Sequence, residues 1–223
     1  MAATTPVFTR ETFRFFQELA RNNRKDWMDA NRERYQEHVV QPFRRLLDEH
    51  LPAVMKLDAN LGTGSSFSRI NRDIRFAKDK TPYRPQMYLK FAAPFAGDAG
   101  ELYVGLSAKT ATVGFRIYSG GKRKESAIGK IAEPRIEKDG RWLAKQKTRL
   151  GRKYESYWYA VEKKEWRERG GWPPSLDDWK KLGGWIVRRK LPTAAATRTS
   201  FTRDIAAVFR DVYPLLRFTS MEE

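Results

Sequence analysis

The sequence predicts an α+β fold: a single domain over residues 1–223, with an antiparallel or mixed sheet packed by N- and C-terminal helices. Three observations carry this. Apolar residues recur at helical steps near both ends of the chain. Strand-like runs joined by short connectors fill the middle. No regular βαβ series appears, which disfavours a doubly wound nucleotide fold.

The elements follow in order. Thr9 is placed to cap a first helix, with Phe13, Phe16 and Leu19 or Ala20 on one stripe. Asn22-Asn23 suits its C-cap and turn. From about Lys25, the residues Trp27, Asn31, Tyr35, Val39, Phe43, Leu46 and Leu47 recur at three- to four-residue steps, making a second amphipathic helix. Pro42 marks a kink or the first turn of a continuation. Gly62-Thr63-Gly64-Ser65-Ser66 is a loop that lacks the ending of a P-loop, so a plain turn is favoured over a phosphate cradle. Tyr88–Phe95 reads as a strand, and Leu102–Ser107 with Thr112–Tyr118 as a hairpin. In its second arm Val113, Phe115 and Ile117 make an apolar face, opposite Arg116 and Tyr118. Two helical stretches follow, about Glu125–Ile131 and Gly140–Leu150, then strands at Tyr154–Tyr159 and Trp185–Val187. Ser175 with Asp178 signals a short helix through Lys181. The last helix runs from about Ser200 to Leu216, with Phe201, Ile205, Val208, Phe209, Val212 and Leu216 as its stripe.

Composition narrows the functions. The 223 residues carry a net charge of +17, no cysteine and only two histidines. A disulfide scaffold, a thiol nucleophile, an iron–sulfur cluster and a cysteine-based zinc site are thereby excluded. His38 and His50 share no close helical face, so no metal site is expected, and no cofactor fingerprint is present. No apolar stretch approaches a membrane span, and the first residues lack the pattern of a secretory signal. A cytoplasmic location without membrane attachment is the expectation. A basic surface attracts polyanions or phosphorylated metabolites, or keeps a protein soluble. The sharpest block, 122–153, holds 12 basic and 4 acidic residues.

The best candidate for chemistry lies elsewhere. From Arg69 to Arg84 the chain holds six basic and two acidic residues. Read as a strand, Ile70, Arg72, Ile74 and Phe76 share one face, and Arg69, Asn71, Asp73 and Arg75 the other. Neighbouring arginines should keep Asp73 ionised. Lys78-Asp79-Lys80-Thr81-Pro82-Tyr83 reads as a turn that can aim Lys80 and Tyr83 back over the strand. Arginine forks with a lysine point charge suit phosphate or carboxylate. Arg69, Arg72, Arg75 and Lys80 are therefore the candidate ligand-binding residues, with Asn23 and Asn31 as helix amides able to face them. Asp73 and Tyr83 are the candidate proton-transfer groups, should the site be catalytic. A ladder of ion pairs that only fixes local structure is an equally physical account of the same pattern. A third reading is a nucleic-acid-binding module over 122–190, where Lys163-Lys164 and Arg188-Arg189-Lys190 interleave with Trp158, Trp166, Trp172, Trp179 and Trp185. The expected partner is an anionic small molecule or nucleic acid.

The spacing Arg69-x-x-Arg72-Asp73-x-Arg75-Phe76-x-x-Asp79-Lys80-x-x-Tyr83 resembles the signature of the DUF2461 family of uncharacterised proteins. Phe15-Phe16-x-x-Leu19-Ala20-x-Asn22-Asn23-x-x-x-Trp27, with Asn31, Tyr35 and Pro42, is similar to its N-terminal pattern. Phe209-Arg210-x-x-Tyr213-Pro214-Leu215 is similar to its last helix. The resemblance implies a single-domain protein of about this length and marks where a site lies; it implies no reaction.

Overall fold

An amphipathic helix is stable only when its apolar stripe is covered, and here strands supply the cover. The computed structural model describes residues 5–93, 100–119, 127–162 and 165–220. Helix α1 (Arg10–Arg21) buries Phe13, Phe16 and Leu19 as the periodicity requires, and Phe15 as well. The Thr12 hydroxyl accepts a hydrogen bond from the Thr9 amide at 3.2 Å, closing the first turn. After α2 (Lys25–Ala30) and α3 (Arg32–Tyr35), a π-helical turn spans Gln36–Val40 and runs into α4 (Gln41–Leu57). Pro42 has no amide to donate, and the widened turn stands directly before it. α4 then buries Pro42, Phe43, Leu46, His50 and Val54 along one side. Asn60–Thr63 forms one helical turn, α5. In the glycine loop that follows, a Cβ on Gly64 would lie 2.4 Å from the Ala92 carbonyl oxygen. Close chain approach accounts for that glycine without a phosphate.

Among the described residues seven strands make one sheet: β1 (Ser66–Phe67), β2 (Gln86–Ala92), β3 (Glu101–Ser107), β4 (Thr110–Tyr118), β5 (Glu155–Glu162), β6 (Glu165–Gly170) and β7 (Leu182–Pro192). Their order is β1-β2-β3-β4-β7-β5-β6, and each pairing is antiparallel. The expected hairpin is β3–β4, with Leu106 opposite Ala111. The strand expected over Tyr88–Phe95 is β2; Pro94 and Phe95 lie outside the described residues. β7 is far longer than the expected Trp185–Val187, because it runs between β4 and β5 along most of its length.

α6 (Ala127–Leu150) joins the two expected helical stretches across a kink at Asp139, whose φ of −151° and ψ of 72° are not helical. Glu125 lies outside the described residues, as do Lys163 and Lys164. α7 (Leu176–Lys180) is capped by the Ser175 hydroxyl, which accepts from the Asp178 amide at 3.2 Å. After α8 (Thr193–Ala196), α9 (Phe201–Thr219) buries all six stripe residues expected of it.

The helical stripes and alternate strand residues form one hydrophobic cluster, including Leu89, Phe91, Val104, Val113, Phe115, Ile117, Trp185 and Val187. Phe209 of α9 meets Phe91 edge-on at 5.6 Å, and Phe43 of α4 meets Phe67 at 6.3 Å. Trp158, Trp179 and Trp185 are core residues, so their surface role in a nucleic-acid module is not available. No described helix is long and apolar enough to cross a membrane.

One expectation fails outright. Residues 69–76 are not a strand. Between β1 and β2 the chain makes an irregular excursion, closed by a single antiparallel bridge between Asn71 and Tyr83. Phe76, expected on an inward face, is 95% exposed.

Candidate functional site

The excursion over 69–84 is held at its base by backbone bonds. The Arg72 amide donates to the Pro82 carbonyl, and the Arg84 amide to that of Ile70, both at 2.8 Å. Ile70 and Tyr83 are buried in the core cluster. The Asn23 side chain reaches across from the end of α1. Its Nδ2 donates to the Tyr83 carbonyl at 2.8 Å, and its Oδ1 accepts from the Tyr83 amide at 2.9 Å. A primary amide is the side chain that can meet a peptide N–H and C=O together, so Asn23 pairs with Tyr83 much as a strand would.

Above that base the loop is braced by its own charges. The Arg72 guanidinium is only 23% exposed and donates to the Asp79 carboxylate, the Thr81 hydroxyl and the Thr81 carbonyl. Asp79 also accepts from the Thr81 amide at 2.9 Å, the mark of an Asx turn. These bonds, with that from the Thr81 amide foremost, hold the Asp79 carboxyl down at about 2. Asp73 takes the Arg75 fork through Nε at 3.0 Å and Nη2 at 2.7 Å. That pairing lowers the Asp73 pKa, so the group is ionised at neutral pH. The Lys80 ammonium donates to the Ile74 carbonyl at 3.0 Å. The side chains of Arg69, Lys78 and Arg84 are exposed and have no hydrogen bond or ion pair to any described residue.

The candidate residues are therefore only partly together. Arg72, Asp73, Arg75 and Lys80 share the loop, with Arg69 and Tyr83 at its base. Asn23 touches the loop through backbone alone. Asn31 stands apart: its Nδ2 donates to the Trp27 carbonyl at 2.9 Å, and its Oδ1 accepts from Arg34 at 2.7 Å. No hydrogen bond joins Asp73 to Tyr83; the Asp73 carboxylate is taken up by Arg75.

Sequence reasoning did not assemble a second cluster, which lies on the sheet face opposite the core. Pairing places Tyr88 beside Gly105, Lys90 beside Tyr103, Glu101 beside Arg116, and Arg188 beside both Gly114 and Glu155. Tyr103 and Ile186 are buried on this face yet stand outside the hydrophobic cluster. The Arg116 guanidinium lies 4.8 Å from the Tyr88 ring and 4.6 Å from that of Tyr103, and pairs with Glu101. Burial keeps the Tyr103, Tyr118 and Tyr157 hydroxyls protonated well past neutral pH. The signal in the sequence was the period-two spacing of Arg116 with Tyr118, Tyr157 with Tyr159, and Arg188 with Lys190. Among the described residues no group of three or more His, Cys, Asp or Glu side chains is placed to hold a metal ion.

A family model described as "Conserved hypothetical protein (DUF2461)" matches residues 11–218, nearly the whole chain. No curated protein matches.

Proposed function

We propose, from the premise that the chain belongs to the DUF2461 family, that it binds a phosphate- or carboxylate-bearing ligand at the loop of residues 69–84. One observation carries this reading. Both carboxylates of the loop are committed, Asp79 to Arg72 and Asp73 to Arg75. The outward cations Arg69, Lys78 and Arg84 are left without a counter-ion among the described residues. A loop stiffened by its own ion pairs loses little entropy on binding, which is the advantage of preorganisation. Arg72 and Asp79 are then the frame. Arg75 and Lys80 contribute field, and Arg69, Lys78 and Arg84 make contact. Asp73, ionised and clasped by Arg75, serves as organiser. In an enzyme built on this loop, Asp73 or Tyr83 would move the proton and the cations would stabilise developing negative charge. The ion-pair reading of the motif is absorbed as the frame of the site. A cytoplasmic setting rich in phosphorylated metabolites suits the proposal.

Thermal shift with inorganic phosphate, pyrophosphate and citrate is the test. Pyrophosphate or citrate should raise the Tm of the native chain, and the shift should vanish in the Arg69→Gln, Lys78→Gln, Arg84→Gln triple variant. An unchanged shift in that variant, or none with any anion, refutes the site. Mixed-sequence DNA and RNA form a second arm. Tight binding that falls steeply with salt, without response to small anions, would favour the nucleic-acid module instead.

A further inference from the structure

The sheet face opposite the core carries a cluster of aromatic and charged side chains that is separate from the basic loop. Glycines lie beneath two of its rings. A Cβ on Gly105 would lie 2.4 Å from the Tyr88 ring, and one on Gly184 would lie 2.6 Å from that of Tyr118. Both rings therefore lie down against bare backbone. No hydrogen bond, ion pair or ring contact ties Tyr88, Tyr118, Tyr157 or Arg188 to a described helix.

At one end three aromatic rings meet. Tyr118 lies 6.4 Å from Tyr159 and 6.1 Å from Trp166, and Tyr159 lies 5.7 Å from Trp166, with interplanar angles of 31° to 47°. Tyr118 is 39% exposed and Trp166 42%. Large apolar rings grouped at a surface need a reason, since isolated exposed ones are ordinary but clusters mark binding sites. From this platform the face leads to a cation. Tyr159 meets Tyr157 edge-on at 5.8 Å, and the Arg188 guanidinium lies 4.8 Å above the Tyr157 ring. Arg188 is steadied by Glu155 at 3.1 Å. Lys190, two residues along the same strand face, is exposed and has no partner among the described residues.

We infer that this face is a ligand site for a small planar anion: an aromatic or heteroaromatic ring stacked on Tyr118, Tyr159 and Trp166, carrying a phosphate or carboxylate that reaches Arg188 and Lys190. A nucleoside monophosphate has that form. The charge balance selects a small ligand over a nucleic-acid strand. Lys90, Arg116, Arg188 and Lys190 are opposed on the same face by Glu101, Glu155 and Glu168. That face is close to neutral and offers one stacking patch, whereas single-strand binders track the backbone with a continuous positive groove. The protonated phenols of Tyr118 and Tyr157 add hydrogen-bond donors along the path.

The test uses AMP, UMP and phenyl phosphate as probes in isothermal titration of the full chain, with adenosine and inorganic phosphate as the two halves. The whole probes should bind, and each half should bind at least about tenfold more weakly. Stacking is worth about 1–3 kcal/mol per base, so Trp166→Ala and Tyr118→Ala should each weaken binding roughly five- to a hundredfold. Lys190→Gln, at an exposed position, should weaken the anionic probes and leave adenosine unchanged. The preference for AMP over inorganic phosphate, and its loss in Trp166→Ala, should persist in the loop triple variant, which separates this site from the anion site at 69–84. The inference is overturned if none of the probes binds, if the Trp166 and Lys190 variants bind as tightly as native protein, or if a ten-nucleotide single strand binds while AMP does not. Binding of choline in place of AMP would overturn it too, by assigning the three rings to a cation.

Discussion

Replacing Asn23 by alanine removes two hydrogen bonds at once, to the Tyr83 carbonyl at 2.8 Å and from the Tyr83 amide at 2.9 Å. Each contributes about 0.5–1.5 kcal/mol net, and leaving a half-buried peptide group unpaired costs about 1–3 kcal/mol. Water can reach part of this site, so the expected loss is about 2–4 kcal/mol. For a chain of this size that corresponds to a Tm lower by roughly 5–15 °C. Urea unfolding gives the free energy, and hydrogen exchange locates it. The amides of Arg72, Tyr83 and Arg84 should lose protection well before those of β3 and β4. Asn23→Asp separates this clasp from a helix cap. An aspartate serves an N-cap ahead of α2 as well as asparagine does. Here it would keep the acceptor for the Tyr83 amide but turn a carboxylate oxygen on the Tyr83 carbonyl. It should therefore be no more stable than the alanine variant. A loss below about 0.5 kcal/mol with the Tyr83 amide still protected, or full rescue by aspartate, would refute the reasoning.

His50 is 4% exposed with Nε2 unpaired, and burial lowers its pKa to about 4. The unfolded chain takes up its proton near pH 6.5, so the contribution is complete above that pH and is lost as pH falls toward 4. His50→Leu should flatten stability between pH 7.5 and 4.5, where native protein loses about 2–3 kcal/mol in urea titrations. Asp79 acts in a lower window: its depressed pKa, from the Thr81 and Arg72 bonds, is felt only below pH 4, as acid reprotonates it. Asp79→Asn should free Arg72, and limited trypsin digestion at neutral pH should then cut within 72–80 faster than in native protein. Gly114→Ala would set a Cβ 2.2 Å from the Val187 carbonyl oxygen, inside the β4–β7 pairing where backbone must yield. It should cost more than about 2 kcal/mol, whereas Gly140→Ala, with nothing within 4 Å, should fall within about 1 kcal/mol of native on thermal melting.

Helix stripes were legible because burial of one side imposes a period that survives in the residues. The sets on α4 and α9 are buried largely as their spacing demands. The β4 alternation was legible for the same reason, with Val113, Phe115 and Ile117 inside and Tyr118 exposed. The reading of 69–76 as a strand failed because alternation has meaning only where a neighbouring strand fixes the pleat. Only Asn71 finds such a partner. From Arg72 onward, side-chain bonds to Asp79 and Thr81 replace the ladder and fold the chain back. β6 left no pattern at all, since each of its six residues is exposed. The tyrosine–arginine face was visible only in fragments. Joining Arg116 to Tyr88 and Tyr157 to Arg188 requires the strand order, in which β7 inserts between β4 and β5. That is a long-range fact with no local trace.

The two borders of the sheet govern how copies of this chain meet one another. At one side β1 offers just two residues for pairing. At the other, β6 presents Glu165, Arg167, Glu168 and Arg169 within six residues, with Arg169 tied to Glu162 and Arg167 near it at 3.7 Å. A strand arriving from a second molecule would find too short a template at the first border. At the second it would have to strip water from four charged side chains within six residues. The sheet can thus leave a tyrosine-rich face uncovered at high concentration without growing into fibres. Replacing Glu165 and Arg167 by threonine would be the shortest route to losing that protection.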